Sequence, residues 1–381
     1  VDRDSCEFLR ALVRPPGHCT PKEIEQQAGN VRNWDSLIEL ARQHRVLPTL
    51  FLRLGDMGPA VPPAVREQLQ AEFHRNVFHN MASAAELIGV LKELDREGIP
   101  AMPFKGVVLG ASAYGDLTRR GPGDLDVLIY YDHLERATAI LLERGYQLKT
   151  PLLADGTQAF PYSHEYQFER QSDGMVLELR WRLELVQPRI RRDLGMDWVW
   201  ARRRTAILLG AEVPNLAPET ALLVLCLHAS NHAWSRLVWI CDVAQVLASS
   251  PDLDWKAATE EAKQLGLWRT LAMGVLIAHR VAGAEVPEAF LAGFEADGTA
   301  SRLARHFEDN LFDAPGTLPP GHIPYNFLLL GFRDRVRMLL SLNFLRPNKR
   351  DRAAIHLPPS LDVLYYLVRP LRMLWDRSPR R

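Results

Sequence analysis

The chain has 381 residues, 47% hydrophobic and 24% charged, with 46 Lys+Arg balanced by 46 Asp+Glu. Its length allows a sizeable core in two or three structural parts, and its zero net charge excludes bulk attraction to nucleic acid. Four scattered cysteines (Cys6, Cys19, Cys226, Cys241) exclude a disulfide framework. With no signal-peptide pattern and no apolar run of spanning length, a cytoplasmic location is the expectation.

Residues 1–80 read as helices broken at Pro15-Pro16, Pro48 and Pro62-Pro63. From 81 to 96 the apolar positions Ala84, Leu87, Ile88, Leu91 and Leu94 follow a 3.6 period, so an amphipathic helix is predicted there, ended by Gly98 and Pro100. The apolar run 99–104 predicts a short strand, Lys105-Gly106 a turn, and 107–114 a short helix. A glycine at that turn lets backbone N–H groups approach a phosphate at the start of the helix. Arg119 and Arg120 follow in a glycine- and proline-bearing loop, where a guanidinium can clamp a polyphosphate.

Residues 124–130, Asp-Leu-Asp-Val-Leu-Ile-Tyr, predict a strand. Alternation places Asp124, Asp126 and Leu128 on one face and Leu125, Val127 and Ile129 on the other, which can be buried. The two carboxylates then lie roughly 6–7 Å apart. Two hard oxygen donors at that spacing can hold Mg²⁺ or Mn²⁺, which would neutralise a triphosphate and stabilise departing pyrophosphate. Asp132-His133-Leu134-Glu135 fits a capping box opening a helix that ends before Gly145.

Two further strands, 164–170 and 175–181, are predicted around a hairpin-like connection at 171–174. In the second, Glu178 lies between Leu177 and Leu179. A carboxylate there is costly unless it faces a cleft or a metal. Beside Asp124 and Asp126 it would complete an acidic triad, ligating the metal and helping to take a proton from an acceptor hydroxyl. Residues 191–381 return to helical periodicity, interrupted at Pro214, Pro218, Pro251, Pro287 and 315–320. The expectation is an α+β protein: a helical N-terminal region (1–80), a small mixed-sheet core (81–190) and a helical C-terminal domain (191–381).

His228 and His232 stand four apart and share a predicted helix face, a spacing that suits zinc. No glutamate follows His228 and no compact four-ligand cluster is visible, so a structural or substrate-lining role is the expectation. With His164, Arg180, Arg236 and Asp242 they are candidates for an acceptor pocket. From 332 to 381 basic residues interleave with aromatic and leucine residues. Helices packed on the core would explain this, and a surface for anionic lipid, nucleic acid or an acidic partner is the sharper alternative.

Phe104-Lys105-Gly106, Tyr114, Arg119, 123–129 and 177–181 together resemble the polymerase-β-type nucleotidyltransferase superfamily. More narrowly, they are similar to the large bacterial group of nucleotidyltransferase family proteins. Residues 34–50 (Trp34, Ala41, His44, Pro48) and 222–247 (His228, His232, Arg236, Trp239, Asp242) carry the same resemblance. It implies transfer of an NMP group from an NTP such as ATP to an acceptor, with pyrophosphate released. Asp124, Asp126 and Glu178 would be catalytic and metal-binding. Lys105, Gly106, Ser112, Arg119 and Arg120 would bind nucleotide. The acceptor stays open among small molecule, sugar, peptide, protein and RNA. The chain departs from the pattern at Gly106-Val107, where Gly-Ser or Gly-Gly is usual, and at Arg180, where the bacterial group more often has histidine. A catalytically silent scaffold of the same fold, and another metal-dependent phosphotransferase or phosphohydrolase, are the alternatives.

Overall fold

The computed structural model describes residues 3–15, 20–55, 61–121, 123–151, 164–183, 194–313, 315–318, 325–331, 335–336, 351–352, 355 and 357–369. Four short helices open it: α1 (Arg3–Val13), α2 (Pro21–Asn30), α3 (Trp34–Gln43) and α4 (Leu47–Leu54). Helix α5 (Pro63–Arg96) then runs through residue 80 without a break, so the 81–96 period is only the C-terminal part of one long helix. Gly98 ends it at φ +66°, with the Ile99 N–H reaching back to the Leu94 carbonyl, the bonding of a Schellman stop.

The central sheet has the order β1-β2-β5-β4-β3. Its strands are β1 (Ala101–Pro103), β2 (Leu125–Ile129), β3 (Tyr146–Leu148), β4 (Glu165–Arg170) and β5 (Val176–Arg180). Strands β2 and β5 are parallel, and the other pairings are antiparallel. The mixed α+β architecture expected from the sequence is the one observed. Helix α6 (Gly106–Ser112) links β1 to β2, and α7 (Leu134–Glu143) links β2 to β3. No capping box opens α7; a 3₁₀ turn at Tyr131–His133 leads straight into it, and the N-cap residue His133 makes no side-chain capping hydrogen bond.

The sheet separates two hydrophobic clusters. Leu125, Val127, Ile129, Leu177 and Leu179 pack under α5 and α7. Leu128 joins Met102 and Phe104 in the larger cluster of the helical regions. Burying each such side chain contributes about 1.5–3 kcal/mol. A one-residue slip of β2 would carry Val127 and Ile129 to the wrong face, which pins the register and with it the aspartates.

Helix α8 (Met196–Trp200) precedes a hairpin, β6 (Arg204–Leu208) and β7 (Ala211–Asn215), in a stretch expected to be helical. Ala206, Leu208 and Val213 add to the cluster beneath the sheet. Its two-residue turn places Leu209 and Gly210 at φ +48° and +80°, which suits a type I′ turn and disfavours leucine. Leu209→Asn is expected to stabilise the protein by about 0.5–1 kcal/mol, read as a higher urea midpoint.

Among the described residues there follow α9 (Pro218–Asn231), α10 (Leu237–Ser249), α11 (Trp255–Leu265), α12 (Trp268–Ala282), α13 (Glu288–Ala296), α14 (Gly298–Asp309) and α15 (Tyr325–Leu328). Helix α9 is buried nearly all round, including Leu222, Leu223, Val224, Leu225 and Leu227. Helix α12 packs so closely on it that a Cβ on Gly274 would lie 2.4 Å from the Cys226 sulfur. Among the described residues, no helix is long and apolar enough to cross a membrane. The basic tail beyond 332 lies largely outside them.

Candidate active site

The parallel pairing of β2 and β5 sets Asp126 directly beside Glu178 and Leu128 beside Arg180. Paired residues share a sheet face, so Asp126, Glu178 and Arg180 all look toward the helical regions. Asp124 stands one residue before β2 and is half-buried. Asp126 and Glu178 thus share one face, and Arg180 joins them there.

The turn at Lys105-Gly106 presses against this face. A Cβ on Gly106 would lie 3.0 Å from the Asp124 carbonyl oxygen, and the glycine sits at φ +49°. Lys105 has φ +62° and ψ −153°, a region nearly exclusive to glycine that costs on the order of 1–3 kcal/mol. The strained backbone directs the Lys105 Nζ to 3.0 Å from Asp126 Oδ1 and 3.4 Å from His228 Nδ1 on α9.

Arg180 completes the charge pattern. Its Nε lies 3.4 Å from Asp126 Oδ1 and its Nη2 2.7 Å from Glu165, and it also pairs with Glu178. His164 Nε2 is 3.3 Å from Arg180 Nη1. Burial raises the Asp126 carboxyl above its ordinary pKa; Lys105 and Arg180 pull it back down, and the Glu178 charge pushes it up again. Burial and the neighbouring Lys105 hold His228 well below the ordinary imidazole value, so it is neutral beside the ammonium.

In kind, the donor set fits a hard divalent ion, because its oxygens are carboxylates on adjacent strands. In position, Asp126 is drawn onto Lys105 and Arg180, and Glu178 onto Arg180. Among the described residues, no three His, Cys, Asp or Glu side chains are gathered closely enough to hold a metal. The same holds for the histidine pair: the His228 and His232 rings lie 4.7 Å apart and pack against Trp239.

Two expected residues are placed elsewhere. Arg120, anticipated at phosphate, is buried and donates from Nε and Nη2 to the two Asp242 oxygens, each at 2.9 Å. The Tyr114 hydroxyl donates to Asp242 at 2.8 Å, and the Asn76 and Asn80 side chains donate to the Arg120 carbonyl. Asp242, anticipated in an acceptor pocket, is fully buried. Together these residues form a latch joining α5, α10 and the loop that leads into Asp124. Arg119 is exposed, 3.9 Å from Asp116.

Ser112 lies at the end of α6 on a cleft shared with Lys105, Leu109, Asn215, Ser249 and Ser250. That cleft has about 70 Å³ of space for water, enough for a few water molecules and far from the several hundred of a nucleotide pocket.

At the corner His44-Arg45, His44 carries part of the family resemblance, but neither residue is among the expected site residues. His44 is buried, and its Nδ1 accepts the Leu237 N–H at 3.1 Å at the start of α10. Burial, reinforced by Arg236, lowers its pKa to about 4. Because the unfolded histidine binds a proton near pH 6.5, stability from this site is complete above that pH. It is lost progressively as pH falls toward 4, by up to roughly 3 kcal/mol. His44→Gln is expected to flatten this slope in denaturant titrations at stepped pH.

Three comparisons bear on this arrangement. A family model described as uncharacterised nucleotidyltransferase matches residues 30–283. Comparison with curated protein sequences gives no match. Among solved structures, the lincosamide antibiotic adenylyltransferase LnuA with lincomycin bound is similar at 12% identity and TM-score 0.32, over 42% of this chain and 94% of that one. The antibiotic-resistance factor ANT(2'')-Ia in solution is similar at 15% identity and TM-score 0.29, over 58% and 96%. An antigenic nucleotidyltransferase-like protein from Paracoccidioides brasiliensis is similar at 16% identity and TM-score 0.27, over 49% and 87%. Similarity at these TM-scores indicates nothing about substrate. The family match spans two-thirds of the chain, including the lysine-glycine turn, β2, β5 and the histidine helix, and the chain belongs to the uncharacterised nucleotidyltransferase family.

Proposed function

We propose that the protein is a metal-dependent nucleotidyltransferase that transfers an NMP group from an NTP to an acceptor and releases pyrophosphate. The observation that carries this reading is the side-by-side register of Asp126 and Glu178, with Asp124 just upstream on the same approach. Asp124, Asp126 and Glu178 would hold Mg²⁺ or Mn²⁺, which when bound neutralises phosphate charge and polarises the reacting oxygens. Lys105, now on Asp126, would turn to the phosphates once a stronger cation sits among the acids. Glu178 or its neighbour Glu165 would accept the proton of an acceptor hydroxyl. His228, held neutral, would accept a hydrogen bond from Lys105 and fix its direction. Arg120 and Asp242 act from a distance, through the loop that carries Asp124. The acceptor would enter from the side of α9 and α10.

A second reading, a catalytically silent scaffold, draws on the same Lys105 and Arg180 contacts, which neutralise the acids without a metal. The test is incubation with each α-labelled NTP and Mg²⁺, following pyrophosphate release and label transfer to cell-extract acceptors, for the native chain and for Asp124→Asn/Asp126→Asn. Transfer lost in the folded variant supports the enzyme. Turnover retained in the variant rejects this site. Absence of both turnover and Mg²⁺-dependent NTP binding in the native chain favours the scaffold.

A further inference from the structure

The acid face suits a divalent ion in kind but not in position, and the mismatch comes from two cations of the chain itself. Lys105 Nζ lies 3.0 Å from Asp126 Oδ1, and Arg180 Nε lies 3.4 Å from the same oxygen. Arg180 also pairs with Glu178 and, through Nη2 at 2.7 Å, with Glu165. The Asp126, Lys105 and Arg180 side chains are each less than a tenth exposed, so salt and water screen these contacts little. Both cations also stand against one ring: Lys105 Nζ is 5.1 Å and the Arg180 guanidinium carbon 6.0 Å from the centre of Phe104. Two positive charges are thus already in contact with the Asp126 oxygen that a divalent ion would need.

The two are not held alike. The Arg180 backbone is paired with Leu128 in β2 and with Glu165 in β4. Its Nη1 donates to the Leu183 carbonyl at 3.3 Å and lies 3.3 Å from His164 Nε2. Lys105 sits outside the strands, on the strained turn that opens α6. Its Nζ meets Asp126 and His228 Nδ1 at the end of a flexible four-carbon stem. Lys105 leaves Asp126 by turning its side chain, whereas Arg180 leaves only by giving up contacts on two strands and the segment after β5.

A free divalent ion must compete with both charges for Asp126. A polyphosphate changes that balance, because it offers the Lys105 ammonium another anion and brings oxygens of its own to the ion. Each ligand then removes an obstacle to the other, and the coupling is reciprocal.

We propose that Lys105 and Arg180 are a built-in cation pair, one exchangeable and one fixed, that refuses free divalent metal at the Asp126-Glu178 face and admits it together with a polyphosphate. The nucleotide as source of that polyphosphate rests on the nucleotidyltransferase reading; the refusal of free metal does not.

Mn²⁺ is the probe, its free ion counted by electron paramagnetic resonance during titration of the full chain. The native chain is expected to bind Mn²⁺ alone weakly, and Lys105→Met to bind it about tenfold more tightly or better. Arg180→Gln should also tighten binding, whereas Arg180→Lys, which keeps the charge and loses the fork, should stay near the native value. A merely structural loss would affect both Arg180 variants alike, and melting curves verify that each variant is folded. Asp126→Asn in the Lys105→Met background should abolish the gain, which places the ion at this face. With an equimolar non-hydrolysable ATP analogue, the native chain should take up Mn²⁺, and the advantage of Lys105→Met should vanish. Native protein that binds free Mn²⁺ as tightly as folded Lys105→Met would overturn the cation pair, as would a gain that survives Asp126→Asn. Tighter Mn²⁺ binding in the variants, with an analogue that leaves the native affinity unchanged, upholds the refusal and overturns the nucleotide as the group that lifts it.

Discussion

Replacing Asp126 with asparagine is expected to lower nucleotidyl transfer by about three orders of magnitude, equivalent to roughly 4 kcal/mol at the transition state. Asp126 is the buried member of the acid set, and Lys105, Arg180 and Glu178 all act on its carboxyl. Asparagine keeps the shape and one oxygen but loses the charge that would hold a divalent ion. It also leaves the Lys105 ammonium in a buried place without its anion, so some loss of stability accompanies the loss of turnover. The two effects separate in Lys105→Met/Asp126→Asn, which removes the stranded cation: stability should recover while transfer stays absent. Recovery of transfer in that double variant would show that Asp126 serves only to hold Lys105.

The largest effect on stability is expected at the latch. Asp242→Ala should cost about 3–5 kcal/mol, because it strands the buried Arg120 guanidinium without the carboxylate that accepts two of its hydrogen bonds. The Tyr114 hydroxyl loses its acceptor in the same step. Arg120→Met with Asp242→Leu should restore much of that stability, since apolar replacement of a buried pair is often neutral. Urea unfolding of the three proteins measures this. If Asp242→Ala unfolds at the native midpoint, the latch contributes nothing. Because Arg120 stands four residues before Asp124, the stability-restored double variant should still transfer nucleotide more slowly through a displaced Asp124.

The strands bearing the acids were legible because their signal is local. Alternation in 124–130 and 175–181 places the carboxylates opposite Leu125, Val127, Leu177 and Leu179, and no distant contact is needed to read it. The hairpin at 204–215 was not legible, since Pro214 and the short exposed strands resemble interrupted helix; only Leu209-Gly210 hints at the turn. Helix α9 has no polar stripe because helices surround it, so periodicity could say nothing about its neighbours. Nor does any local rule say which of Arg119 and Arg120 turns inward. That choice depends on Asp242, 122 residues away.

By itself, then, the amino-acid sequence determined the chemistry available: two aspartates and a glutamate on apolar strands, a lysine-glycine turn ahead of them, and an α+β class. Those features follow from side-chain alternation and from the conformational freedom of glycine, which act over a few residues. Only the tertiary structure decided which charges meet. It set Lys105 on Asp126 and sealed Arg120 against Asp242. The cause is that ion pairing in a low-dielectric interior depends on distances between segments far apart along the chain, and those distances are set by how the helical regions pack against the sheet.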